Sequence, residues 1–341
     1  MKLQPAKTRI VGLGSALVDI LVYESDDFVR RIGVKKGGMT LVDMPTLETV
    51  LNQVSTEPFV VPGGSACNTA VGIGQLGGQA RFVGKRGNDG TGRFFQTALV
   101  ERGVEPFLMT SNLPTGRVLS IITPDAQRTM LTYLGASADT QPEEITPECF
   151  RDSAVVHMEG YLLFNPELMS AALKSASVAG AQISLDLASF TLVEQSKFIR
   201  DDIIEAYVDL LIVNEDEALA YTGFRNETQA LARLARHVDL AVLKVGAEGS
   251  FIRQGNDVYR IPAQGSRPAI DTTGAGDLWA AGFLYGLVNG YAHAESGRLA
   301  SACGYEVCQV VGADIPADGW IRIKEKLEEE WPKEHRHANS F

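Results

Sequence analysis

At 341 residues, 45% of them hydrophobic and 21% charged, the chain has the length and apolar content for one large packed α/β core with a small appendage, which excludes wholesale disorder. A net charge of -11 offers no Lys/Arg-rich face, so nucleic acid and acidic membrane are excluded as partners; small anions stay open, because backbone N–H groups bind them whatever the net charge. No apolar run nears the ~20 residues needed to cross a bilayer, and Cys67, Cys149, Cys303 and Cys308 lack CxxC spacing, which suits buried thiols in a reducing, cytoplasmic setting.

In chain order, Lys2, Lys7 and Arg9 precede an apolar run that Gly12, Gly14 and Asp19 interrupt, so the amino terminus reads as a first strand and not as a signal peptide. Residues 10–22 are expected to form a strand leading out of a core sheet, with Asp19 in its middle. Small and apolar residues at helical spacing predict a helix over 63–76, opened by Pro62-Gly63-Gly64-Ser65 and ended by Gly77-Gly78. Alternation in 117–122 and 128–133, on either side of Thr123-Pro124-Asp125-Ala126, predicts a β-hairpin, which fits poorly in a parallel sheet. After Gly135 the rhythm becomes strand then helix, with strands over 154–158, 182–186, 210–213 and 240–245 and helices over 168–179, 197–207, 215–221 and 228–235. Repeated βα units imply a mostly parallel sheet covered on both faces, whose ligands lie beyond the carboxyl ends of the strands. The polar tail after Trp331, with His335 and His337, is expected to be flexible over 332–341.

The segment richest in chemistry is Asp271-Thr272-Thr273-Gly274-Ala275-Gly276-Asp277, followed by a helix-like run over 278–287. Glycines just ahead of a helix let backbone N–H groups face an anion, and the helix dipole adds positive potential there. A carboxylate at Asp277, on the first turn, can take a proton from an attacking hydroxyl while Gly274, Ala275 and Gly276 form a hole for a phosphoryl oxyanion. A helix start also favours Asp as a plain cap, so these residues alone leave both readings open.

This segment closely resembles the DTxGAGD signature of the PfkB/ribokinase family, in which the final Asp is the catalytic base. A second family signature, a Gly pair followed by a small-residue helix bearing Asn, is matched by Gly63-Gly64-Ser65-Ala66-Cys67-Asn68-Thr69-Ala70. The resemblance implies a ribokinase-like three-layer α/β/α sandwich with a mostly parallel central sheet and a small β-lid. It implies a single domain over 1–341, with lid segments near 17–45 and 107–136. It further implies a kinase that uses ATP and magnesium to phosphorylate a hydroxyl of a small sugar or nucleoside.

Gly63, Gly64 and Asn68 would then contact substrate hydroxyls, and Asp19, in Gly14-Ser15-Ala16-Leu17-Val18-Asp19, would bind paired hydroxyls, a role suited to an acceptor-only side chain. Asn214-Glu215-Asp216-Glu217 matches the NxxE motif, in which Asn214 and Glu217 hold the magnesium and phosphate region through water; helix capping by Asn214 is the structural alternative. Lys244-Val245-Gly246-Ala247-Glu248-Gly249-Ser250 resembles the strand-turn segment bordering the nucleotide phosphates, with Gly246 and Gly249 permitting close approach. Asp271, Thr273 and Gly312 align with positions that bind potassium (K+) in many relatives, and ordinary turn residues are the alternative. Exposed lid faces often pair, which allows a homodimer through the lid.

Within the family, Gly14-Ser15-Ala16-Leu17-Val18-Asp19-Ile20, the stretch 36–43 and the stretch 128–136 most resemble the adenosine-kinase-like branch. Thr273 stands where eukaryotic adenosine kinases carry Asn in NGAGD, so adenosine and fructokinase- or ribokinase-type sugars are all open as acceptors. A non-catalytic sugar- or nucleotide-binding regulator is the alternative of another class.

Other signals carry less. Gly72-Ile73-Gly74-Gln75-Leu76-Gly77 fits GxGxxG but lies inside a helix, where small residues serve packing. Gly84-Lys85-Arg86 lacks the Ser/Thr and upstream Gly of a P-loop. The five histidines show no metal-ligand spacing, and His157 reads as a core residue.

Overall fold

Runs such as Leu210–Asn214 and Leu240–Lys244 are buried along nearly their whole length, a pattern that suits a sheet covered on both faces. The computed structural model, which describes residues 3–4, 6–125, 127–195 and 201–330, places them so. The strands are β1 (Arg9–Leu13), β2 (Leu17–Tyr23), β3 (Met39–Leu41), β4 (Phe59–Gly63), β5 (Ala80–Gly87), β6 (Val104–Ser111), β7 (Gly116–Ile122), β8 (Arg128–Tyr133), β9 (Ser153–Glu159), β10 (Gln182–Asp186), β11 (Leu210–Asn214), β12 (Leu240–Lys244), β13 (Ser250–Gln254) and β14 (Asp257–Ile261). Among the described residues nine of them form one sheet in the order β14-β13-β12-β11-β10-β9-β1-β5-β6. It is parallel from β6 to β12 and antiparallel over β12 to β14.

One apolar layer packs helices Ser65–Gln75, Gly90–Glu101, Ala275–Val288, His293–Val307 and Ala317–Glu330 on one face of this sheet. A second layer packs Pro166–Val178, Asp201–Tyr207, Glu215–Thr222 and Glu227–Leu234 on the other. Each large apolar side chain so buried contributes about 1.5 to 3 kcal/mol. The result is the expected three-layer sandwich.

The other five strands make a second sheet in the order β3-β8-β7-β2-β4. Ile20, Val22, Leu119, Ile121 and Leu131 fill one face of it and pack on helices Asp26–Arg31 and Met44–Leu51 through Phe28, Val29, Leu47 and Val50. Because side chains alternate along a strand, the opposite face presents Asp19, Val118, Ser120, Met130 and Thr132 to a cleft over the large sheet.

The run 10–22 is not one strand. The chain leaves the large sheet at Leu13 and enters the small one at Leu17, and Gly14 marks the crossing: a side chain there would collide with the Glu159 carboxylate. Residues 107–111, expected with the lid, pair with β5 as part of β6, whereas Phe59–Gly63 joins the small sheet beside β2. The hairpin of β7 and β8 lies in the small sheet, outside the parallel array. The first residues of the helix expected over 197–207 and the whole tail over 332–341, with His335 and His337, lie outside the described residues.

The small-residue stripe over 72–77 serves packing. A Cβ at Gly72 would come within 2.7 Å of Ala281 Cβ and Leu278 Cδ1, so glycine lets helix Ser65–Gln75 lie directly on helix Ala275–Val288. His157 is fully buried in β9 against Ser184 Oγ at 3.0 Å, and burial pushes its pKa down to about 4. Cys67, Cys149 and Cys303 are buried and Cys308 is half-buried, all as free thiols. Among the described residues no helix is long and apolar enough to cross a membrane.

Candidate active site

β9, β10, β11 and β12 end in Glu159, Asp186, Asn214 and Lys244, and all of these side chains line one cleft of about 1440 Å³. Parallel strands feeding helices open such a crevice at their carboxyl ends. The small sheet forms its other wall.

Two helix starts meet at the floor. Helix Ser65–Gln75 follows Gly64, whose φ of 99° and close approach to the Ser15 carbonyl admit only glycine. Helix Ala275–Val288 follows Gly274, at φ 70°, where a Cβ would lie 2.6 Å from Ala313 Cβ. Its Ala275 N–H bonds Thr272 O, and the next capping bond runs from Leu278 N–H to Gly274 O. Among the described residues the N–H groups of Gly276 and Asp277, which lie between these, meet no backbone acceptor and are left for an anion at the positive end of the helix. The Ala275 side chain packs against the core below.

Asp277 projects from this first turn into the cleft. Its Oδ1 accepts a hydrogen bond from Ser65 Oγ at 2.7 Å and its Oδ2 one from Asn68 Nδ2 at 2.9 Å. Burial pushes its pKa above the ordinary carboxylate value; these two bonds oppose the shift, and the Asp186 charge adds to it. Asp19, mid-strand in β2, is pushed up to about 6, chiefly by burial, with Arg128 opposing and Asp277 adding. Gly63 stands beside it, and any Cβ there would strike the Asp19 carboxyl group.

The far wall carries the remaining charge. Lys244 Nζ donates to Asp186 Oδ2 at 2.8 Å. Glu217 is locked to Asn214 by a capping box: the Asn214 side-chain oxygen accepts from Glu217 N–H at 2.9 Å. In return Glu217 takes the Asn214 backbone N–H at 2.9 Å and its Nδ2 at 2.7 Å. Burial, helped by Asp186 and opposed by Lys244, pushes Glu217 up to about 7. Asp186, Glu217 and Asp277 thus all act on the Lys244 ammonium, while among the described residues no group of three or more His, Cys, Asp or Glu is gathered closely enough to hold a metal ion directly.

Comparison with known proteins agrees with this geometry. The sequence pattern of the pfkB family carbohydrate kinases matches residues 40–319. The chain belongs to the pfkB family of carbohydrate kinases. It is similar to a fructokinase of Klebsiella pneumoniae, 31% identical over 272 residues, covering 74% of this chain and 87% of that protein. It is also similar to a probable fructokinase of Arabidopsis thaliana, 28% identical over 335 residues and covering 91% and 94% of the two chains. Among solved structures, a probable sugar kinase from Rhizobium etli superposes with a TM-score of 0.86 at 30% identity, over 94% of this chain and 99% of that one. An adenosine kinase from Sinorhizobium meliloti does so with a TM-score of 0.84 at 30% identity and the same coverage. The fold is ribokinase-like, and the protein is a phosphotransferase of the sugar and nucleoside kinases.

In this pfkB-family kinase Asp19, Gly64, Asn68, Asn214, Glu217, Lys244, Gly274, Gly276 and Asp277 all line the one cleft. Gly246 and Gly249 do not. They turn β12 into β13, and Gly249, at φ 105°, packs so closely on the Ile261 carbonyl that its glycine is explained by the turn. Asp271, Thr273 and Gly312 do come together: Asp271 Oδ1 accepts from Thr273 N–H at 2.9 Å and Thr273 Oγ1 at 2.7 Å, and Oδ2 from Gly312 N–H at 2.9 Å.

Sequence reasoning passed over Glu159, Asp186, Ser65 and Arg128. Glu159 accepts from Ser15 N–H at 2.9 Å and Ala66 N–H at 3.0 Å, tying the crossing between the sheets to the helix that carries Asn68; burial pushes it up to about 7. A carboxylate at the end of a predicted strand was the available signal for Glu159 and Asp186. Arg128, at the start of β8, reaches the cleft beside Asp19, and nothing in its local sequence announces that.

Proposed function

We propose that this kinase phosphorylates a hydroxymethyl or hydroxyl group of a small, unphosphorylated sugar or nucleoside, with Asp277 as general base. The observation that carries this reading is the carboxylate of Asp277 on the first turn of a helix whose free N–H groups lie beside it, in one cleft with Asp19 and Asn68. ATP with magnesium, when bound, supplies the phosphoryl group and neutralises part of its charge.

The remaining work falls to the chain. Ser65 and Asn68 orient the two Asp277 oxygens, each of which keeps a lone pair for the acceptor hydroxyl proton. The Gly276 and Asp277 N–H groups stabilise the charge developing on the transferred group, in the hole that Gly274 opens. Asp19 accepts from paired hydroxyls of the acceptor, Gly64 leaves room for it, and Gly63 leaves room for Asp19. Asn214 and Glu217 would hold the magnesium through water, since both Glu217 oxygens are already engaged. The small sheet acts as a lid that excludes water, which would otherwise compete for the phosphoryl group.

The acceptor is chosen between two classes named among the relatives, free sugars and nucleosides. ADP release measured across nucleosides, free sugars and sugar phosphates tests the proposal: turnover on a nucleoside or free sugar, lost in excess chelator, is expected. Absence of ADP release with every acceptor would indicate a binding regulator, and strong preference for a phosphorylated sugar would overturn the acceptor class. Potassium dependence at Asp271, Thr273 and Gly312 is tested by exchanging potassium for a bulky organic cation at constant ionic strength; unchanged turnover would assign the cluster to loop structure alone. We place the enzyme in the cytoplasm. A homodimer through the lid would have to use an edge of the small sheet, since helices cover one face and the cleft occupies the other.

A further inference from the structure

Lys244 heads the strand-turn segment that bears Gly246 and Gly249, but unlike those glycines it lines the cleft. It is the last residue of β12, and its ammonium lies 2.8 Å from Asp186 Oδ2, with side-chain exposures of 15% and 7% for the two residues. A Cβ on Gly276 would sit 3.0 Å from Lys244 Nζ, so the ammonium lies directly against the helix start that leaves its N–H groups for an anion. Asp186 is held from the other side, because its Oδ1 accepts the Ala188 N–H at 2.9 Å. An ammonium has three donors, and Asp186 is its one hydrogen-bond acceptor among the described residues.

As a structural staple this pair is poorly chosen. Taking two charges out of water offsets most of their attraction, and apolar residues of similar volume often serve stability equally well. As a prepared cation it is well placed, because a charged donor facing the anion site gives a strong, directional hydrogen bond to a phosphate oxygen.

We propose that Lys244 is the side chain that distinguishes a nucleoside triphosphate from a diphosphate, and that Asp186 holds its ammonium against Gly276 ready to contact the terminal phosphate. This rests on the kinase reading above, in which the group beside the Gly276 and Asp277 N–H groups is the one transferred to the acceptor. The terminal phosphate is what a diphosphate lacks, so loss of Lys244 removes a contact that only the triphosphate makes. It also accounts for glycine at 276, where any side chain would crowd the ammonium.

The test is calorimetric binding of MgADP and of a magnesium-bound non-hydrolysable ATP analogue, without acceptor, to the full-length wild type, K244M and K244R. The wild type is expected to prefer the triphosphate analogue. In K244M that preference should fall by about ten- to a hundredfold, the range for one hydrogen bond to a charged group, while ADP affinity changes by less than about threefold. K244R, which keeps a charge and donors, should retain part of the preference. K244Q gives the same readout should K244M not fold. An unchanged triphosphate preference in K244M or K244Q overturns the proposal, as does an equal loss for both nucleotides. A wild type that binds neither nucleotide would instead overturn the kinase reading beneath it.

Discussion

Asp277 and Asp19 share a cleft, yet their neighbours prepare them differently. Asp277 has both oxygens oriented by Ser65 and Asn68, so Asp277→Asn keeps the shape and loses the proton acceptor. Turnover should drop by about 10² to 10⁴ fold, with acceptor and nucleotide affinity within a few fold, as steady-state kinetics and calorimetry would register. Near-normal turnover in folded protein would return Asp277 to the role of a helix cap. Its raised pKa also sets a pH dependence: the base works only when ionised, so kcat/KM should fall on the acid side at a pH above the ordinary carboxylate range.

Asp19 offers a stability readout. Its pKa rises from 3.8 to about 6 on folding, so the folded state binds the proton more tightly and loses stability as pH rises through that window. Asp19→Asn should therefore be more stable than the wild type at pH 8, by about 1 kcal/mol once water reaching the open side of the cleft is allowed for. The difference should vanish at a pH below 3.8, where both side chains are neutral. Melting curves across pH check this, and a constant difference would refute it. The same variant should bind the acceptor more weakly by about 1 to 3 kcal/mol.

At the scale of elements, the decisive contact is between helices Ser65–Gln75 and Ala275–Val288, which meet through Gly72 and bring Asn68 to Asp277. Gly72→Val would push Leu278 and Ala281 away and should cost about 1 to 3 kcal/mol in stability. Because the base and its orienting residues sit on different helices, kcat should fall in the protein that remains folded. Loss of stability without loss of kcat would mean that the two helices adjust independently.

Legibility varied among the elements for physical reasons. The βα units after Gly135 were readable because their strands are apolar on both faces. β5 was hidden because Lys85 and Arg86 interrupt its apolar pattern; Lys85 is nonetheless buried, donating to Glu144 and to the Asp139 carbonyl, both at 2.9 Å. β13 and β14 were missed because one side of that hairpin is exposed and its apolar alternation is short.

At the scale of the molecule, the small sheet is assembled from segments separated in sequence and joined to the core through short crossings such as residues 14–16. If it closes as a unit, backbone hydrogen exchange around Lys36, Gly37, Gln127 and Arg128, which line the cleft, should slow when acceptor and an ATP analogue are bound together. Equal exchange with and without ligands would argue for a fixed wall.

By itself the sequence determined the three-layer class, the family, the helix start at Asp271 to Asp277 and the Gly63-Gly64 segment, because each depends on periodicity or on contiguous residues. Only the tertiary structure showed that Gly246 and Gly249 turn β12 into β13 outside the cleft lining, that β2 leaves the core sheet, and that Glu159, Asp186 and Lys244 line one cleft. Asp186 and Lys244 lie 58 positions apart and meet because β10 and β12 flank β11 and end at the same edge of the sheet. Such an encounter is a property of strand order and packing, which no local window of residues contains.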